Sequence, residues 1–360
     1  MRRFVITALL LMVLACSLAA EDTIVREARN INWNGMHVRT LDNCEILLWE
    51  DTRGGDQDIW AQKINASGQT LWAEPLPIAM KPGRQTIVGV VPSSDNNFIL
   101  LWEDGEYNMP NTLWIQKFTS NGQTLWPEMG IPVTSESAYY YKSKLVANTV
   151  GGAYVFFRSV MGVTPLRGQN LDAWGNQLWQ AGGMDVHNLS SYFNIDSAVA
   201  DGSGGAIVCL NIAQAGSHLI HVSPTGSAIG NNPMLPPSAF PGDYSIMPGI
   251  NGEFILHSNL ESGGAVLSLQ KMNANGDLLL PNIVHTGIGA VSNYYDHIGL
   301  APTSQGGIII IWKEYTYPDI NLLKIQKLDS SFAPLWMAGG ITVTTVPNLD
   351  ISRHRVSIHA

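Results

Sequence analysis

The sequence predicts an all-β fold, a β-propeller of six four-stranded blades; seven blades, or a fragment of a longer array, are the alternatives. Three observations carry that reading. A segment of about fifty residues recurs six times along the chain. Each copy reads as four short strands separated by Gly, Asn and Ser turns. Finally, only 14% of the residues are charged while 35 are Gly and 11 are Trp, against an average of about 25% charged residues and about 7% Gly in soluble domains. Such a chain lacks the salt-bridge material of a Lys/Glu-rich helical bundle, and its 45% hydrophobic content excludes disorder.

The first element in chain order is a processing segment. Met1-Arg2-Arg3 is a basic start, and Phe4 to Ala15 is an apolar run of twelve residues, too short to cross a bilayer as a helix. Ser17 and Ala19 fit the small-residue rule for cleavage before Ala20, with a cut before Glu21 as the variant, so residues 1–20 read as a signal peptide. The rival reading is a lipoprotein anchored through Cys16, since Val13-Leu14-Ala15-Cys16 resembles a lipobox; Leu14 is bulkier than that motif's usual residue. The expected location is extracellular, at the cell surface or in the periplasm, and no other apolar stretch is long enough for a transmembrane helix. Removing residues 1–20 takes away two arginines and no acid, moving the formal charge from -9 to -11. That acidity argues against a nucleic-acid partner. The remaining Cys44 and Cys209 are expected to be an unpaired loop thiol and a buried strand residue.

The repeats occupy residues 21–345. Asp58-Ile-Trp-Ala-Gln62 with Gly68-Gln-Thr-Leu-Trp72 recurs as Thr112-Leu-Trp-Ile-Gln116 with Gly122-Gln-Thr-Leu-Trp126. Weaker copies carry Gln169, Gly175 and Trp179; then Gly226, with Ile220 in place of Gln; then Gln270 and Gly276; then Gln326, Phe332 and Trp336. Within each copy the first strand ends in a turn such as Pro92-Ser-Ser-Asp-Asn-Asn97 or Asp201-Gly-Ser-Gly-Gly205. The second is almost continuously apolar, as in Phe98-Ile-Leu-Leu-Trp102, which suits a strand covered on both faces. The third carries the Gln, and the fourth begins at Gly-x-x-Leu-Trp. Four strands per fifty residues is a propeller blade, and stacking blades buries both faces of each small sheet. Residues 346–360 are expected to form an extra terminal strand, a ring latch or the start of a further blade.

The run Glu50-Asp51-Thr-Arg53-Gly-Gly-Asp-Gln-Asp58-Ile-Trp-Ala-Gln62, followed by Gly68 and Trp72, resembles a repeat of secreted bacterial proteins. There the pattern is Trp-x-Asp-x-Arg-x-Gly, then Asp-Ile-Tyr-Ala-Gln, then Gly and Trp. The resemblance implies a propeller-like surface or secreted protein, of a group that often carries type IX secretion sorting domains. Gly-x-x-Leu-Trp also resembles the docking motif of quinoprotein propellers, which implies stapling of adjacent blades and no quinone. The repeated Gln is expected to bond backbone groups between blades, and Asp51, Arg53 and Asp58 to brace their hairpin rather than hold calcium.

Function is expected where the copies differ. The connection entering each first strand is aromatic in five copies: Trp33, Tyr139-Tyr140-Tyr141, Tyr192-Phe193, Tyr244 and Tyr294-Tyr295. The hairpins after the second strands, expected at the same face, are acidic in places: Asp51, Asp56 and Asp58; Glu103, Asp104 and Glu106; Glu314 and Asp319. Aromatic rings beside carboxylates suit stacking of sugar rings or anchoring of a protein. Trp33, Tyr139, Tyr140, Tyr141, Tyr192, Tyr244, Tyr294 and Tyr295 are therefore the candidate ligand-binding residues, weighed against a role as packing between blades. If the tyrosines at 139–141 are buried there, the site fails.

No catalytic residue can be named. Gly-x-Ser-x-Gly, His-Glu-x-x-His and a P-loop are missing from the sequence. His218 and His221, three apart in an expected strand, point to opposite faces, so no metal site is expected; nor is a cofactor. The expected function is an exported, non-catalytic binding or scaffold module for a glycan or cell-surface protein, the alternative being a propeller-type glycoside hydrolase or sialidase-like enzyme.

Overall fold

The computed structural model describes residues 31–106, 108–140, 142–159, 164–213, 216–229, 244–260, 266–281, 284–287, 294–316 and 320–347. The expected signal peptide, and residues 348–360 of the expected terminal strand, lie outside them. The described residues form six four-stranded antiparallel sheets and no helix, the six-bladed β-propeller class that the repeats predict.

Blade one comprises β1 (Ile31–Arg39), β2 (Glu45–Asp51), β3 (Asp58–Ile64) and β4 (Leu76–Ala79). Blade two comprises β5 (Arg84–Pro92), β6 (Asn97–Gly105), β7 (Thr112–Thr119) and β8 (Ile131–Pro132). Blade three has β9 (Lys144–Ala147), β10 (Ala153–Phe157), β11 (Leu166–Leu171) and β12 (Met184–His187). Blade four has β13 (Phe193–Ala200), β14 (Ala206–Ile212), β15 (Gly216–Val222) and β16 (Ala228–Ile229). Blade five has β17 (Tyr244–Pro248), β18 (Phe254–Leu260), β19 (Val266–Met272) and β20 (Val284–Gly287), and blade six β21 (Tyr294–Pro302), β22 (Ile308–Thr316), β23 (Ile320–Leu328) and β24 (Ile341–Pro347). Val346 and Pro347, expected to open an extra strand, close β24 instead.

The chain divides into two compact units. One holds the described residues up to Tyr140 with Val150–Val155 and Gln169–Gly183; the other holds the rest. In the first, Val38, Ile46, Leu48, Ile59 and Ala61 of blade one pack against Ile87, Phe98, Leu100, Trp102 and Phe118 of blade two. Burying each such side chain contributes about 1.5–3 kcal/mol, which is why the second strands read as unbroken apolar runs. In the second unit the same packing joins blades four and five through Cys209, Leu219, Leu256 and Met272, and blades five and six through Leu269, Ile310 and Trp312. Cys44 and Cys209 are both buried and free.

The repeated residues are scaffold, with one correction. Gln62 does not bond between blades. Its Nε2 donates to the Trp72 carbonyl at 3.2 Å, and its Oε1 accepts from the amides of Trp72 (3.3 Å) and Lys63 (2.8 Å), all within blade one. Gln116, Gln169, Gln270 and Gln326 repeat that clamp on the segment that leads into the fourth strand, which begins a few residues beyond the clamp rather than at the Gly-x-x-Leu-Trp unit. An amide side chain can donate and accept at once, so it satisfies the incoming segment at both backbone groups. The glycine supplies the staple between blades. Gly122 and Gly175 adopt φ of 82° and 87°, and a Cβ on Gly175 would come within 2.9 Å of Trp126 Cγ from the preceding blade. Trp126 Nε1 then donates to the Ala173 carbonyl at 3.0 Å. In the sixth copy Phe332 takes the same left-handed conformation, φ 65°, with its ring buried.

The residue after the Gln, or after Ile220 in the fourth copy, forms a second repeated device that the sequence reading missed. Lys63 Nζ lies 2.6 Å from Asp42, Lys117 Nζ 2.6 Å from Asp95, Lys271 Nζ 3.4 Å from Glu253, and His221 Nε2 2.8 Å from Asp201. Each pair ties a third strand to the turn between strands one and two. The hydrogen bond from Lys63, followed by one from Thr40, holds the Asp42 carboxyl down at about 2. Lys117 reaches further and donates to the Gly151 carbonyl of blade three at 2.7 Å.

Candidate functional site

At the hairpin end of blade two the strand period assembles a polar cleft. Thr86 pairs with Glu103, Arg84 with Gly105, and Glu103 with Leu113 in the next strand. Alternation then places Arg84, Thr86, Glu103 and Gly105 on one face of the sheet, with Gln85 and Asp104 on the other. Gly105 leaves room on that face for the Asn111 side chain, which a Cβ there would overlap. The result is a cleft of about 180 Å³ lined by Arg84, Thr86, Glu103, Gly105, Glu106, Asn108 and Asn111.

Its electrostatics follow from the burial of Glu103. Desolvation pushes the Glu103 carboxyl above its ordinary value; the 3.2 Å hydrogen bond from Asn111 Nδ2 and the nearby Arg84 charge counter this in part, and Glu50 reinforces it. Glu106 is exposed at the cleft, and among the described residues no cation forms an ion pair with it. On the opposite face Gln85 Nε2 donates to Asp104 at 3.0 Å, and Lys81, 3.7 Å from Asp104, lies over the Trp114 ring. Burial lowers the Lys81 pKa against the pull of Asp104.

The tyrosine segment borders this cleft. Asn111 and Ala138 exchange backbone hydrogen bonds at 2.9 Å, drawing the segment onto the hairpin. Tyr139 Oη donates to the Asn108 carbonyl at 2.8 Å while its side chain stays exposed, the residue being 36% accessible. Tyr140 differs: it is 9% accessible and donates to the Glu136 carbonyl, so it packs. Tyr141 lies outside the described residues. Tyr192, 45% accessible, belongs to the other unit, where the buried Arg158 guanidinium stacks 4.0 Å from its ring. Trp33, Tyr244, Tyr294 and Tyr295 sit in β1, β17 and β21 rather than in the connections before them, and their side chains lie outside the described residues, as do the Glu314 side chain and Asp319.

Two acids of blade one, Asp51 and Asp56, are consumed by structure. Asp51 accepts from the Arg53 guanidinium, the Arg53 amide and Trp49 Nε1, bracing the hairpin as expected. Asp56 accepts from the Gly83 amide at 3.2 Å. Burial first, then Asp56 and Asp51, raise the Asp58 carboxyl. Sequence reasoning found Tyr139, Glu103 and Glu106. It missed Arg84, Thr86, Asn108 and Asn111, whose convergence depends on strand register and on a chain reversal that no motif marks. Among the described residues no cluster of three or more His, Cys, Asp or Glu could hold a metal ion.

No family model and no curated protein matches the chain. Solved structures resemble it. Apo prolyl oligopeptidase B from Galerina marginata superposes with a TM-score of 0.53 at 10% identity, over 88% of this chain and 43% of that one. Puromycin hydrolase gives 0.50 at 14% identity, over 88% and 46%. A protein of unknown function from Dyadobacter fermentans gives 0.48 at 10% identity, over 81% and 92%. The chain spans less than half the length of the first two, and at these identities the likeness speaks to the fold alone.

Proposed function

We propose that the chain is an exported, non-catalytic binding module that takes up a glycan at the blade-two cleft. One observation carries the reading: an exposed aromatic ring, Tyr139, is fixed by its own hydroxyl to Asn108 at the border of a cleft lined with amide, carboxylate and guanidinium groups. Sugars offer an apolar ring face and a girdle of hydroxyls, and such a border and lining complement both. Export rests on the basic start and apolar run of residues 1–20.

A glycan array probed with the full chain and with Tyr139→Ala tests this. Binding that falls at least tenfold in the variant supports the module. Binding to no glycan, or binding indifferent to Tyr139, sinks it, and a protein captured in a Tyr139-dependent way would replace the glycan as ligand. The glycoside-hydrolase alternative has one observation of its own: burial raises the Glu103 carboxyl, as a general acid requires. Release of reducing ends from a bound oligosaccharide, lost in Glu103→Gln, would favour it.

A further inference from the structure

The charges lining the cleft do not cancel. Arg84 stands close enough to offset Glu103, and among the described residues it is the only cation in the lining. Glu106 is left over, exposed and without an ion-pair partner among the described residues. Lys81, the next cation along the chain, is on the far side of the sheet with Asp104 and Trp114. The lining thus carries two carboxylates against one guanidinium, beside a ring whose face attracts cations. Asn111 Nδ2 is already given to Glu103, and the Asn108 carbonyl to Tyr139. An acidic sugar would add a negative charge to an unbalanced negative one, and a neutral sugar would leave Glu106 unmatched.

We propose that the blade-two cleft selects a glycan residue bearing a free, protonated amine, its ammonium against Glu106 and Glu103 and its ring face on Tyr139. This deepens the glycan-binding reading and rests on it. The selectivity is electrostatic, so it weakens as salt screens the charges.

The test compares two soluble probes, a glucosamine pentamer and its fully N-acetylated counterpart, by calorimetry on the full chain at low salt. The amine pentamer is expected to bind about tenfold more tightly, with the advantage shrinking below about threefold near 1 M NaCl, where the screening length is about 3 Å. Glu106→Gln, at an exposed position, should remove most of the preference without changing the thermal midpoint. Tyr139→Ala should weaken both probes, and Tyr139→Phe only slightly. If the acetylated pentamer binds as well as the amine and both depend on Tyr139, the amine selectivity falls while the cleft stands. If neither binds, or neither depends on Tyr139, both fall. An amine preference that survives Glu106→Gln also overturns the assignment.

Discussion

Glu50 and Glu103 stand at the same place in successive copies, each following the tryptophan of a second strand, and they meet different fates. Glu50 is 1% accessible. Its two oxygens accept from the Ile87 amide at 2.9 Å and from Gln57 Nε2 at 2.8 Å, so it joins blade one to blade two. Glu103 instead faces a cleft, with Asn111 on one oxygen. Gln57 in the first hairpin and Asn111 in the second make the difference: Gln57 reaches on to the Gln85 carbonyl of blade two, while Asn111 holds Glu103 within its own hairpin at the cleft. Duplication supplies a carboxylate in both blades, and the local hairpin decides whether structure uses it or leaves it for a ligand.

That contrast assumes a scaffold equally firm in both blades, and the largest expected effect tests the assumption. Gly175→Ala must hold a Cβ at φ 87° against Trp126 and Ile131, which adds a left-handed backbone cost of about 1–2 kcal/mol to an overpacking cost of about 1–3 kcal/mol. Gly202→Ala has a similar φ of 78° and nothing within 4 Å, so only the backbone cost applies. Urea denaturation should separate the two by about 2 kcal/mol, and equal losses would mean that Trp126 does not dock on the glycine.

Next in size is the pair itself. Glu50→Ala removes the hydrogen bonds that the Ile87 amide and Gln57 donate to the carboxylate, and losing hydrogen bonds to a buried charge costs about 1.5–3 kcal/mol. Glu103→Ala removes a single hydrogen bond together with a desolvated charge, so its loss should stay under about 1 kcal/mol. Matching losses would erase the distinction between a consumed and an available carboxylate.

A smaller effect is expected at the other end of blade two. Lys117 is buried and Asp95 half-exposed, so Asp95→Asn removes the counter-charge of the ammonium and leaves it neutral acceptors, the Gly151 carbonyl among them. Breaking a fully buried pair costs about 3–5 kcal/mol; with one partner open to solvent, about 1–2 kcal/mol is expected, read from the shift in the urea midpoint.

The scaffold was legible in the sequence because it recurs: Gln in five copies, Gly in five and Trp in four, at fixed offsets, mark the blades, and the apolar second strands mark the core. The Gln misled only as to its partner, since spacing shows which residues repeat but not whether an amide turns inward or to the next blade. The ion pairs went unread because their acids take different places in turns closed by the same backbone bond: Asp42 and Asp95 stand third, Asp201 first and Glu253 fifth. The cleft was half legible. Three adjacent tyrosines and an acidic hairpin drew notice, yet only register places Arg84 opposite Gly105, and only the Asn111–Ala138 bridge sets Tyr139 rather than Tyr140 at its border.

The smallest expected effect bears most directly on why Glu103 is there. Burial raises its pKa in the folded chain above the ordinary value of 4.5, so the folded state binds that proton more tightly than the unfolded state does. The sign follows from linkage: this contribution to stability is fullest below the ordinary value and is lost as pH rises through the raised one. At neutral pH the ionised Glu103 therefore weighs against folding. Glu103→Gln keeps an acceptor for Asn111 and removes the charge, so at pH 7 the variant should be slightly more stable, by under about 1 kcal/mol, and near pH 3 the gain should vanish. Thermal midpoints of the two chains across that range check it; a variant less stable at pH 7 would mean that Arg84 and Asn111 outweigh burial. If the gain is found together with weaker amine binding, the carboxylate is kept against the interest of stability, which is what a binding group does and a scaffold group does not.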